Sequence, residues 1–240
     1  MAISYPLSLP TQAGIASVAL RAANVVALAQ SPFTYRQQVF KHPGERWEAT
    51  VTLPNMERPN AESWIAFLLS LKGQTGTFLL GDPANRVPRG TLKDASTWFL
   101  AGGVWQNSGV WDDGQDWGGD PATLAFGSPV VAAEAQSGAS AVVISGVAAD
   151  TQGILLPGDY IQLGAAGTAT LHKVLLPVNS DSSGNATIEI WPSLRRTVAQ
   201  NEAVIYTNPV GRFRLKSSAQ DWQINVARIY TIAFDAVEAI

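Results

Sequence analysis

Cysteine is absent from the 240 residues, so the chain can form no disulfide and hold no metal through thiolate. That absence leaves the redox compartment undetermined. Charge is scarce as well: Asp, Glu, Lys and Arg make up 15% of the residues, against roughly 25% in an average soluble domain. A chain so poor in charge repels its neighbours weakly, which favours extensive burial or self-association. The net charge of −3 gives no electrostatic reason to expect nucleic acid. No apolar run approaches the roughly 18 residues that span a bilayer, and the opening MAISYPLSLPTQAG has no basic region ahead of an apolar stretch. The expectation is therefore no signal peptide, no membrane partner and synthesis in the cytoplasm of the producing cell.

Catalytic material is equally thin. There are two histidines, His42 and His172, and no G-x-S-x-G, H-E-x-x-H or G-x-x-x-x-G-K-[ST] pattern. Nothing singles out a carboxylate pair for glycoside hydrolysis. A non-enzymatic chain without cofactor or metal is expected, with a hydrolase of surface polymer relying on the generic aspartates as a rival.

What is present is β structure. The segment 156–195 contains three strands, 159–163, 169–178 and 186–191, preceded by Pro157-Gly158 and separated by 164–167 and by Asp181-Ser182-Ser183-Gly184-Asn185. These are the residues that tight turns need. Residues 130–147 read as two shorter strands around Ser137-Gly138. Near the start, the 15–29 segment suits a strand, though its alanines leave a helix open. Trp47, Ala49, Val51 and Leu53 alternate with Glu48, Thr50 and Thr52, as in a sheet with one buried face. Residues 35–41 form a companion strand, with His42-Pro43-Gly44 as the expected hairpin turn.

One helix is expected over 58–73, capped by Asn60, with Glu62 in its first turn and Gly73 closing it. Trp64, Phe67, Leu68 and Leu71 fall on one face, as packing on a sheet requires. A short strand follows at 77–80. Strands return at 212–216 and at 221–240, the latter alternating and broken at Arg228 by a bulge or by emergence from the sheet. An apolar C-terminal strand must be tied into a core. Residues 1–85 and 205–240 are therefore expected to form one discontinuous domain, and 86–204 an inserted β domain. The fold class is mainly β: a barrel or sandwich with one flanking α-helix, plus a small inserted barrel or sandwich.

Three clusters invite a site. Trp98, Trp105, Trp111 and Trp117 are spaced by Gly, Asn and Asp. Trp105, Trp111 and Trp117 would suit stacking on sugar rings of a glycan or on a partner surface, or would fill the inserted domain's own core. Asp112, Asp113, Asp116 and Asp120 lack the spacing of a calcium loop and have no closing glutamate. Arg86, Arg89, Arg195, Arg196, Arg212 and Arg214 fall near the two expected domain junctions, where folding would gather them into a basic rim for an acidic partner.

Four stretches carry a family resemblance: PGERWEATVTLPNMERPNAESWIAFLLSLKGQTGTFLLGDP with NRVPRG after it, GDYIQLG, LHKVL with NATIEIWPSLR, and the closing WQINVARIYTIAFDAVEAI. In this order they resemble the distal tail proteins of long flexible-tailed bacteriophages and prophages. The resemblance implies a virion structural protein at the tail tip: a homo-hexameric ring joining the tail-tube protein to the baseplate hub, near the tape-measure protein. It implies a ring-forming, tube-like belt domain with one helix and a second β domain projecting outward. The Trp-rich stretch departs from the family's pattern. Alternatives are a carbohydrate-binding, host-adhesive module using the tryptophans, or another tail-tip role as hub or tube terminator.

Overall fold

The computed structural model describes residues 3–11, 14–92 and 128–240. Among these the chain is mainly β, with two six-stranded antiparallel sheets and one α-helix. It divides into two compact units: Met1–Leu80 with Gly211–Ile240, called the sheet unit, and Gly81–Val210, the barrel unit.

In the sheet unit, β1 (Ser17–Gln30), β2 (Gln37–Thr52), β12 (Tyr230–Glu238), β10 (Gly211–Leu215) and β3 (Phe78–Leu80) lie side by side, and β11 (Trp222–Ile224) pairs with β12. The alternation in β2 does what its period dictates: Trp47, Ala49, Val51 and Leu53 are buried while Glu48, Thr50 and Thr52 face outward or are half-buried. β12 is central, paired with β2 on one side and with β10 and β11 on the other. Tyr230, Ile232, Phe234 and Ala236 point to the buried face. Helix α1 (Arg58–Ser70) contributes Trp64, Phe67 and Leu68 to this core, with Leu71 at its C-terminal cap.

Three local expectations are corrected. Asn60 does not cap α1; the helix begins at Arg58 behind an extended Glu57, with no side-chain cap. Pro59 at the start presets the backbone and needs no N–H partner, which replaces the cap. Glu62 consequently sits a turn further in, paired with Arg58 at 3.1 Å. Gly73, as expected, has a left-handed φ of +68°.

His42-Pro43-Gly44 is not a turn. It lies inside β2, where the register steps from Asn24↔Glu45 to Val26↔Lys41, so that these three residues oppose Val25 alone. A proline, with no N–H to donate, is accommodated at such a bulge. A Cβ on Gly44 would come within 2.7 Å of Val25 Cγ2. The true turn is Ser31–Arg36, closed by Ser31 N–H to the Arg36 carbonyl at 2.9 Å. The hairpin partner of β2 is therefore β1, a strand throughout.

The break at Arg228 is a hairpin. Arg228 has φ +60°, and the Asn225 side-chain oxygen accepts the Ile229 N–H at 2.9 Å. β11 thus folds back on β12, and the two are not one long strand.

The barrel unit orders its strands β4 (Val130–Val131), β5 (Ala141–Ser145), β8 (Asn185–Trp191), β7 (Thr170–Val174), β6 (Tyr160–Leu163) and β9 (Val204–Ile205). A bridge between Val130 and Ala203 brings the first and last strands together, with Val131 N–H to Glu202 carbonyl and Val204 N–H to Pro129 carbonyl both at 2.9 Å. The sheet is nearly closed, so its edges are satisfied internally. Val142, Ile144, Ile161, Leu163, Ile188 and Ile190 fill the interior.

Candidate interaction surface

The β1–β2 hairpin outruns the sheet that anchors it. β12 pairs with β2 over Glu48–Thr52, whereas β1 and β2 continue pairing out to Gln30↔Gln37. Beyond Glu45, which is buried where the hairpin meets the sheet, every residue from 24 to 44 except Ser31 is exposed. The result is a two-stranded arm solvated on both faces. Two strands alone are marginal in water, and this pair is anchored to a third strand only through its inner half.

Val25, Val26, Leu28, Phe33, Tyr35, Val39 and Phe40 are all at least half exposed, with Phe33 at 92%. Cross-strand pairing puts Leu28 opposite Val39 on one face and Ala27 opposite Phe40 on the other. These side chains present on the order of several hundred Å² of apolar surface, at or above the few hundred Å² typical of a monomer's largest patch. No other described strand pairs with the outer edge of β1. Arg36 is the one charged residue between 24 and 38, so the edge lacks the charges that usually blunt such strands.

The β11–β12 hairpin exposes a second, smaller apolar tip, with Ile224 at 53% and Val226 fully exposed. Because β12 runs antiparallel to β2, this tip and the arm leave the sheet at opposite ends.

The outward face of the same sheet is polar. Arg46 donates to Glu48 at 2.7 Å, Lys216 lies 3.5 Å from Glu48, and Thr50 donates to Asp235 at 2.6 Å. The Arg46 hydrogen bond holds the Glu48 carboxyl below its usual range against the opposing effect of burial, aided by the charges of Lys216, Arg46 and Arg21. A shallow groove runs between Arg21, Glu48, Lys216 and Asp235. Each exposed pair contributes at most about 1 kcal/mol, so this face is solvated and compensated.

In the barrel unit, burial first and then the neighbouring Asp82 carboxylate, to which it donates, push the Tyr160 hydroxyl up to about 12. Lys173 Nζ lies 3.1 Å from that hydroxyl. A phenol so held stays protonated, the opposite of an activated nucleophile. His172 stands opposite Ile161 and so points into the barrel, fully buried, with Nδ1 2.7 Å from the Pro192 carbonyl and Nε2 2.9 Å from Thr170 Oγ1. His42 lies on the exposed arm. Among the described residues no group of three or more His, Asp or Glu is placed to hold a metal.

The six arginines are divided between the units. Arg86, Arg89, Arg195 and Arg196 belong to the barrel unit, Arg212 and Arg214 to β10 of the sheet unit. Arg196 pairs with Glu202, and Arg89 with Asp159 at 3.3 Å. Arg212 donates to the Ala239 carbonyl at 3.2 Å. Trp98, Trp105, Trp111 and Trp117, with Asp112, Asp113, Asp116 and Asp120, lie outside the described residues.

Asp159 is the polar keystone of its turn. Buried, it accepts the Arg89 N–H at 3.1 Å and the Leu156 N–H at 2.8 Å. Asp159→Ala strands both amides, and an expected loss of about 2–3 kcal/mol in the barrel unit follows. The Arg89 guanidinium, 57% exposed, keeps water and adds little. Faster hydrogen exchange across β6 and β7 in the variant is the readout; unchanged protection would refute the assignment.

The arm was the feature sequence reasoning missed. Its signal was available in Ser31-Pro32-Phe33-Thr34-Tyr35-Arg36, a turn carrying two aromatic residues where polar ones are the rule. A search among models of known protein families and among curated proteins finds no match to this chain.

Proposed function

We propose that the chain is a structural subunit of a bacteriophage tail tip, forming a ring, of six copies, that joins the tail tube to the baseplate hub. The observation that carries this reading is the contrast between the units: the barrel satisfies its own edges, while the sheet unit presents a long, apolar, unblunted edge and arm. Such an edge is a liability in a solitary protein and a joint in an assembly. The segments that resemble distal tail proteins also fall on framework elements. They are the second half of β2 with α1 and β3, then β6, β7 and β8, then the β11–β12 hairpin. The opposite placement of arm and β11–β12 tip suits a subunit with neighbours above and below. The role is assembly without catalysis or cofactor, in the virion, with the tube, hub and tape-measure proteins as partners.

Imaging of tails carrying this chain tests the reading. A six-fold ring of 25.5 kDa subunits at the tube's distal end is expected, and its loss should leave tubes without hubs. Intact, hub-bearing tails in the absence of the chain would reject the proposal, as would labelling along the fibre or capsid.

A further inference from the structure

We propose that the outward face of the sheet unit binds an acidic polypeptide segment, laid in extended form along β10. This face is distinct from the arm, and the binding stands whether or not the chain belongs to a ring.

Strand pairing gathers the cations. Arg21 of β1 stands opposite Glu48 of β2, Glu48 opposite Val237 of β12, and Val237 opposite Arg214 of β10. Arg46, two residues before Glu48 in β2, faces the same way. Along β10 the alternation buries Gly211, Phe213 and Leu215 and turns Arg212, Arg214 and, just past the strand's end, Lys216 outward. Five cations thus share a face on which the paired strands place two carboxylates, Glu48 and Asp235, an excess of three positive charges in a chain of net charge −3. Local pairing does not remove that excess. Glu48 is shared by Arg46 and Lys216, and Asp235 accepts the Thr50 hydroxyl. The Arg214 Nε finds no acceptor among the described residues.

Spacing and residue type select the occupant. Alternate residues of a strand repeat at about 6.8 Å, so Arg212, Arg214 and Lys216 form a row of that interval. An extended segment with Asp or Glu at every second residue presents its carboxylates at the same interval. Four of the five cations are arginines, whose planar forks match carboxylates. Single-stranded nucleic acid is held by stacking on aromatic side chains, and the outward positions of 17–23, 46–52, 212–216 and 231–237 hold none. The closely spaced phosphates of a duplex would meet Glu48 and Asp235 within the same patch.

The test follows binding of labelled peptides to the full chain by fluorescence anisotropy, at about 50 mM salt so that surface charge is weakly screened. A peptide alternating Glu and Thr, long enough to pass all three β10 cations, should bind. It should bind more tightly than a peptide of the same composition with its glutamates in one block. Arg214→Gln with Lys216→Gln should weaken binding about 10-fold or more. Arg21→Gln with Lys216→Gln, both at exposed positions, should also weaken it, with circular dichroism unchanged. Arg86→Gln with Arg195→Gln, in the barrel unit, should leave it as it was. Four results overturn the proposal: no binding by the parent chain, equal affinity for the two peptides, affinity indifferent to the sheet-unit variants or lost equally in the barrel variant, or tighter binding of an oligonucleotide of equal charge, which gives the face to nucleic acid.

Discussion

Trp64→Ala is expected to cost the sheet unit about 3–5 kcal/mol, a large fraction of the roughly 5–15 kcal/mol that holds a domain together. Trp64 is fully buried on the inward face of α1 and is the largest side chain in that state. It meets Phe67 edge-on at 5.8 Å between ring centroids and Phe234 at 6.3 Å. Phe67 and Phe234 in turn each contact Phe78, at 5.7 and 6.0 Å, and Phe78 reaches Phe213 at 6.4 Å. The cluster therefore binds α1, β3, β10 and β12, and a void at Trp64 loosens all four elements. Trp64→Phe separates packing from polarity. The indole Nε1 finds no acceptor among the described residues, so the native ring already carries a desolvation penalty of about 1–3 kcal/mol. Deleting that N–H offsets most of the volume lost, and the phenylalanine variant should lie within about 1 kcal/mol of the parent. Denaturant unfolding followed by hydrogen exchange in β12 reads both values. A phenylalanine variant as weak as the alanine one would show that the indole N–H has a partner.

The parts of this fold legible in the sequence are those in which local period and burial coincide. Trp47-Ala49-Val51-Leu53 and Trp64-Phe67-Leu68-Leu71 announce their faces because each points one apolar row at one core. The mainly β class with a single helix follows from the same patterns and is what the structure has. The misread points are all backbone decisions settled by neighbours. Pro43 resembles turn chemistry locally, yet the long pairing of β1 with β2 absorbs it as a bulge. Arg228 takes a left-handed conformation that few would assign to arginine, held there by the Asn225 side chain. At Asn60, the neighbouring proline made a cap unnecessary. The arm was harder still. Val26, Leu28 and Val39 look like core residues by composition, and only the end of β12 shows that no core reaches them. An apolar strand and an apolar interface are written in the same residues. What separates them is the presence of a second layer, and that is a property of the whole chain.

Acid should weaken the barrel unit by about 3 kcal/mol between pH 6.5 and 4, through His172 alone. Burial, reinforced by the charges of Arg195 and Arg196 and opposed by the hydrogen bond to the Pro192 carbonyl, holds this imidazole down to about 4 against an ordinary 6.5. The direction follows from comparing the two states. The unfolded chain takes up its proton near pH 6.5, while the folded barrel refuses it until about pH 4. Stability from the neutral imidazole is therefore complete above pH 6.5, falls through the window and is lost below pH 4. A difference of about 2.5 units at about 1.4 kcal/mol each gives the magnitude. The geometry fixes the neutral tautomer: a carbonyl only accepts, so Nδ1 carries the hydrogen to Pro192 and Nε2 is left as an acceptor facing Thr170 Oγ1. The Thr170 hydroxyl has one hydrogen and a second acceptor, the Leu163 carbonyl at 3.2 Å. Protonation would let Nε2 donate to that oxygen and free the hydroxyl for Leu163, so the charged form gains a hydrogen bond and still loses to burial. Asp181 and Glu48, whose carboxyls are held low by hydrogen bonds from Asn185 and Arg46 respectively, lose their contributions at the acid end, below most of the histidine window. His172→Asn keeps a donor for Pro192 and has no group that titrates. It should be less stable than the parent at pH 7, because it leaves a gap beside Thr170, yet flat from pH 6.5 to 4. Parallel stability-versus-pH curves for parent and variant would place the acid sensitivity elsewhere in the barrel.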